Sequence, residues 1–68
     1  MESILSTFIK EKRKIANLTQ IELAQKAGVG LRFIREVEQG KENLRIDKVN
    51  QVLKLFGHIL YPAKIKNI

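Results

Sequence analysis

Leu31, Arg32, Arg35 and Glu36 are the side chains of this 68-residue chain best spaced to do chemistry together. At helical periodicity they share one side of a helix, so a single surface can present them. Each guanidinium fork can grip the paired acceptors of a guanine edge, worth about 1 to 3 kcal/mol of discrimination per good pair. Leu31 can pack on a thymine methyl, and Glu36 can accept from a cytosine amino group while excluding other bases. A local salt bridge from Glu36 to Arg32, four residues earlier, is the equal alternative. No nucleophile sits with a base, no glycine loop cradles phosphate, and the acidic residues are spread over helix surfaces. No enzymatic activity and no small-molecule substrate are therefore expected.

Two helices and a tight turn must position those four residues. Thr19 opens the first of them, its hydroxyl accepting from the amide of Glu22 while the Glu22 carboxylate reaches back. Leu18 can staple the start, and Ile21, Leu23, Ala24 and Ala27 form the predicted buried side. Gly28 can take the left-handed conformation that ends a helix. The second helix follows Gly30, turns Ile34 and Val37 inward, and stops at Gly40. This is a helix-turn-helix, a unit whose second helix enters the DNA major groove.

The rest of the chain must support that unit. A helix from about Ser3 to Ala16 is predicted, with Ser3 as N-cap and Leu5, Phe8, Ile9 and Ile15 as its apolar side. Lys10, Lys12, Arg13 and Lys14 gather near its C-terminal end, where cations suit the helix dipole, and a solvated face explains most of them. A last helix is predicted over Ile46 to Phe56, burying Ile46, Val49, Val52, Leu53 and Phe56 and capped by Gly57. The expected fold is all-α, a compact domain of four to five helices over residues 1–57.

Residues 58–68 read differently, because Ile59, Leu60, Tyr61, Ala63 and Ile65 are apolar or β-prone around Pro62. A lone strand needs a partner for its backbone groups, and the same segment of a second subunit can supply one about a two-fold axis. Pro62 has no N–H and must sit at an outer edge or a kink. The alternative is a disordered tail from Pro62. His58, just past a helix end, is a capping or packing residue.

Composition sets bounds that agree. A chain this short buries little and calls for a staple or a partner. With no cysteine and one histidine, neither a disulfide nor a zinc site is available, so no metal and no cofactor are expected. No apolar run approaches the roughly 20 residues of a membrane span and nothing resembles a signal peptide, so a cytoplasmic location without membrane contact is expected. Thirteen Lys and Arg against seven Asp and Glu leave a net charge of +6, which suits a polyanion. An RNA-binding module lacks support from aromatic residues: Phe8, Phe33 and Phe56 fall on apparent core positions, leaving Tyr61 alone.

The run Leu18-Thr19-Gln20, Leu23-Ala24, Ala27-Gly28-Val29, Ile34, Val37-Glu38, Gly40-Lys41 resembles the helix-turn-helix of the XRE or Cro/C1 family of phage repressors and bacterial regulators. Arg32 through Lys41, then Asp47 through Leu53 and Phe56-Gly57, is most similar to the HipB-type antitoxins. Gly30 departs from the family's usual Ser or Thr, which removes a cap and one phosphate contact. The resemblance implies a lambda-repressor-like domain and a homodimer joined by an intermolecular β element over Ile59 to Ile65. It also implies phosphate contacts by Gln20, whose helix N-terminal amides are available too, and by Lys41, Asn43 and Arg45 in the loop after Gly40. It further pairs Arg13 with Glu38 as a structural tie between the first and third helices, costly to break if buried and weak if exposed.

The function implied is sequence-specific repression of a pseudo-palindromic operator by a homodimer, with half-sites roughly 34 Å apart. The HipB resemblance adds binding to a HipA-like kinase toxin and autoregulation of the shared operon. The alternatives are a solitary phage-type repressor without a toxin, or a toxin-binding module whose DNA binding is vestigial.

Overall fold

A computed structural model describes residues 3–64, and its order of elements is α1 (Ile4–Ile15), α2 (Gln20–Ala27), α3 (Leu31–Glu38) and α4 (Ile46–Leu55). All four are α-helices, and among the described residues there is no strand. α2 packs against α3 and α4, while α1 packs against α3. The core where they meet is Ile9, Leu23, Ala24, Ile34, Val37, Val49, Val52 and Leu53. Small Ala24 on α2 lets the neighbouring helices approach closely.

Local chemistry explains where the helices begin. Ser3 caps α1 with its side chain accepting from the Ser6 amide, and Ser6 Oγ in turn accepts from the Ser3 amide at 3.0 Å. Ser6 is fully buried with no unpaired polar atom among the described residues, a satisfied core hydroxyl that the apolar pattern did not reveal. At α2 the expected reciprocal cap forms: Thr19 N–H donates to Glu22 Oε1 at 2.8 Å, and Glu22 N–H donates to Thr19 Oγ1 at 3.1 Å.

The helix ends follow one scheme. After α1, Asn17 takes φ of 59°, and Leu18 N–H reaches back to the Arg13 carbonyl. Asn is among the few non-glycine residues that accept this left-handed backbone, since its short amide bonds locally. After α3, Gly40 takes φ of 85° and Lys41 N–H bonds the Glu36 carbonyl, which turns the chain off the helix axis at once. Gly28, at φ of 75°, makes the turn between α2 and α3.

Three predicted core residues lie outside the core. Ile15 is 79% exposed because it falls six positions beyond Ile9, about 240° round the helix and off the buried stripe. Ile21 is 53% exposed, since it lies across the helix from Leu23. Ile46 has the right period but occupies the first residue of α4, which overhangs the core; it is 67% exposed and lines a groove with Leu5, Leu44 and Leu60.

The segment after α4 runs without regular structure through residue 64. His58 N–H caps the Leu53 carbonyl, its ring Nδ1 lies 2.7 Å from the Phe56 carbonyl, and the ring meets Phe8 edge-on with centroids 4.7 Å apart. Leu60 N–H then donates to Asn50 Oδ1 at 2.8 Å. Those contacts fasten the start of the segment to α1 and α4, while Ile59 and Tyr61 remain exposed. Ile65 lies outside the described residues.

Candidate nucleic-acid interface

The surface of α3 is built from the inside outward. Ile34 and Val37 anchor it to the core, and Glu38 at its end is the one charged side chain buried among the described residues. Arg13 of α1 reaches across and grips that carboxylate with both arms of its fork, Nε to Oε2 at 2.7 Å and Nη2 to Oε1 at 3.0 Å. Its third donor, Nη1, bonds the Leu18 carbonyl at 2.9 Å and so pins the turn into α2. The Glu38 side chain is 3% exposed and that of Arg13 14%, so the pair is a largely desolvated tie. The buried alternative for this pair holds, and it fixes α1, α2 and the end of α3 in one frame.

Gln20 joins the same cluster, its Nε2 donating to Glu38 Oε1 at 3.2 Å. Gln20 is half-buried at the first residue of α2. At the start of α3, Gly30 provides no side-chain cap, and a Cβ there would meet nothing within 4 Å. The space in front of the α3 N-terminus is open.

On the outward side of α3, Arg32 and Arg35 are exposed while Leu31 and Glu36 are half-buried. The Arg32 side chain is 92% exposed. The Arg35 side chain enters no hydrogen bond or ion pair with other described residues. Gln39 continues the same row one helical turn beyond Arg35 and is exposed, a position marked by the spacing 32, 35, 39 although it lies past the N-terminal part of the helix. Phe33 turns toward the core, with Lys48 Nζ 6.0 Å from its ring centroid.

The carboxylates nearest this surface are engaged. Glu36 Oε2 accepts from Lys41 Nζ at 2.9 Å and lies 3.8 Å from Arg32 Nε. The Lys41 hydrogen bond is the main reason the Glu36 carboxyl titrates below its ordinary range. The expected contact of Glu36 with Arg32 is present, and Lys41 makes the shorter one. Arg45 holds Asp47 in the same manner, at 2.7 Å and 3.1 Å, and lowers the Asp47 carboxyl by that bond. Asn43 is exposed in the loop between them.

The structure therefore gathers Arg32, Glu36 and Lys41 into one ionic cluster and puts Gln20 on Glu38. Arg45 stands with Asp47 at the start of α4. The arrangement offers a row of exposed donors on a short helix, flanked by cations that are paired with carboxylates.

Comparison with known proteins agrees with this geometry. A family model described as Helix-turn-helix matches residues 9–59, well over half of the chain. A protein of Sinorhizobium fredii (strain NBRC 101917 / NGR234), named as the uncharacterized HTH-type transcriptional regulator y4mF, is 49% identical over 63 residues, covering 88% of this chain and 83% of that relative. The matched stretch holds the Arg13–Glu38 tie, the capped α2, the Gly28 turn and all of α3 and α4. On these grounds the chain belongs to the XRE-type helix-turn-helix family.

Proposed function

We propose that this protein is a sequence-specific DNA-binding transcriptional repressor that works as a homodimer. The observation that carries the reading is the outward row of α3: Arg32 and Arg35 project free of the core from a helix braced at both ends by Gly28, Gly40 and the Arg13–Glu38 tie. A rigid helix holds side chains in register with base edges, and exposed guanidiniums pair with guanine. The name of the Sinorhizobium fredii relative as a transcriptional regulator points the same way.

In this reading Leu31, Arg32, Arg35 and Glu36 face the bases. Gln20, Lys41, Asn43 and Arg45 take phosphates, with Lys41 and Arg45 exchanging carboxylate for phosphate oxygen. Residues 1–57 form the DNA-binding domain, and residues 58–68 carry the dimer contact. Ile59, Leu60, Tyr61, Ala63 and Ile65 then pair as a strand with the same segment of a second copy. In favour stand the exposed Ile59 and Tyr61 and the anchoring of the segment start by the Leu60–Asn50 hydrogen bond. Two copies on one face of the duplex would read a pseudo-palindromic operator.

The finer role we propose is that of a HipB-like antitoxin that binds a HipA-like kinase toxin and represses their shared operon from the bacterial cytosol and nucleoid. Its support is the similarity of Arg32 through Gly57 to such antitoxins. The deciding experiment is fluorescence anisotropy with the promoter duplex of the protein's own operon and a random duplex, repeated with the product of any adjacent kinase-like reading frame. Preferential promoter binding that the kinase alters supports the antitoxin. Preferential binding that the kinase leaves unchanged supports a solitary repressor, and kinase binding without promoter preference supports an interaction module.

A further inference from the structure

Three cations of the candidate interface, Arg32, Lys41 and Arg45, already face carboxylates of the same chain, while Arg35 does not. Lys41 is bound to Glu36 twice over, its ammonium to the carboxylate at 2.9 Å and its backbone N–H to the Glu36 carbonyl at 3.1 Å. Because Gly40 folds the chain back at this point, the pairing is fixed by the α3 terminus and not by chance meeting of two long side chains. The same carboxylate lies 3.8 Å from Arg32, one turn toward the start of the helix. Its side chain is 26% exposed, far less than Arg32, so it sits beneath the two cations and between them.

We propose that Glu36 is the specificity-determining residue of this surface, acting as an internal competitor that holds Lys41 and Arg32 back from DNA except where a cytosine amino group satisfies it. The inference rests on the DNA-binding reading above. On a random duplex each phosphate that approaches Lys41 must displace the carboxylate and also meets its negative charge. The two cations therefore work below their full strength. At an operator position with cytosine opposite Glu36, the cytosine N4 amino group donates to the carboxylate. Lys41 is then released to a phosphate and Arg32 to a guanine edge. Selectivity arises from what the glutamate opposes elsewhere as much as from what it accepts at the site.

The test compares wild-type protein with Glu36→Gln, Lys41→Ala and the double variant, on a random duplex and on the duplex that wild-type protein selects from a random-sequence library. Glu11→Gln, an exposed change on α1 that alters net charge equally, serves as the charge control. An exposed ion pair of this kind couples weakly, so Glu36→Gln is expected to tighten random-duplex binding about two- to fivefold. It should also steepen the random-duplex salt slope by up to about one released ion. Operator binding should not gain, so the operator-to-random ratio falls. Most of the gain should vanish in the Lys41→Ala background.

Random-duplex affinity that is unchanged or weaker in Glu36→Gln would overturn the proposal. So would an equal gain from Glu11→Gln, or a gain undiminished by Lys41→Ala. A wild-type protein that selects no duplex over random sequence would overturn the DNA-binding reading and this inference together; one that discriminates well while Glu36→Gln behaves as wild type would overturn the inference alone.

Discussion

Arg32 and Lys41 lie at opposite sides of Glu36, yet the roles proposed for them separate cleanly by experiment. A guanidinium on a base edge reads sequence, whereas an ammonium on a phosphate only adds affinity. Arg32→Ala is therefore expected to lower affinity for the selected duplex by about 1 to 3 kcal/mol and to leave the random duplex nearly unchanged. Lys41→Ala should weaken both duplexes and flatten the operator salt slope by about one, read from anisotropy titrations across a salt series. Equal losses on the two duplexes for Arg32→Ala would contradict base readout. At this scale the outward placement of Arg32 and Arg35 was legible beforehand from residue types and helical spacing. Spacing also revealed the Arg32–Glu36 contact, but not the partners that depend on turns and packing. Lys41 lies five residues from Glu36 and reaches it only because Gly40 breaks the helix, and Gln20 meets Glu38 only through the packing of α2 on α3.

At the scale of helices, two features can be tested against stability. The Arg13–Glu38 tie is desolvated and made of two parallel hydrogen bonds, so removing one partner leaves a charge stranded in the core. Arg13→Ala is expected to cost about 3 kcal/mol in urea unfolding, with a loss under about 1 kcal/mol as the contradicting result. Replacing both residues with Met should restore much of that loss, because no orphaned charge remains. The cap at α2 predicts a dependence on pH. Glu22 titrates below its ordinary range, chiefly because its carboxylate accepts from the Thr19 backbone, with the Thr19 side chain and Lys26 adding to the effect. A carboxyl whose folded value is depressed contributes stability above the unfolded value and loses it as pH falls through the folded one. Glu36 and Asp47 shift the same way, so the melting temperature should drop as pH falls through and below the ordinary carboxylate range. Glu22→Gln should melt lower at neutral pH and show a shallower drop on acidification, followed by circular dichroism; parallel curves for the two proteins would contradict the cap.

Helix starts were readable because capping is a local affair: Ser3 and Thr19 bond residues three positions away, within the reach of a sequence pattern. The exposure of Ile15 and Ile21 was readable from helical phase as well, since neither lies on the buried stripe, and only an assignment by hydrophobicity misplaces them. Buried Ser6 escaped notice for the opposite reason, a polar residue satisfied by its own cap. The exposed isoleucines also bear on the whole molecule, where eight buried apolar side chains among the described residues leave little core to spare. Ile4, Ile59 and Tyr61 are exposed on or beside the anchored C-terminal segment, a surface that a second copy would cover at gain. Removing residues 58–68 is expected to convert a dimer to a monomer in analytical sedimentation and to lower operator affinity steeply, because two linked half-site contacts become one. A truncated protein that sediments as the full-length one does would move the interface onto the helices.

If the outward face of α3 meets base edges in the major groove, a structure of the protein with its selected duplex will have Arg32 or Arg35 within hydrogen-bond distance of guanine N7 and O6, with Lys41 on a phosphate. A complex in which α3 faces solvent, or in which both arginines touch only phosphates, would contradict it.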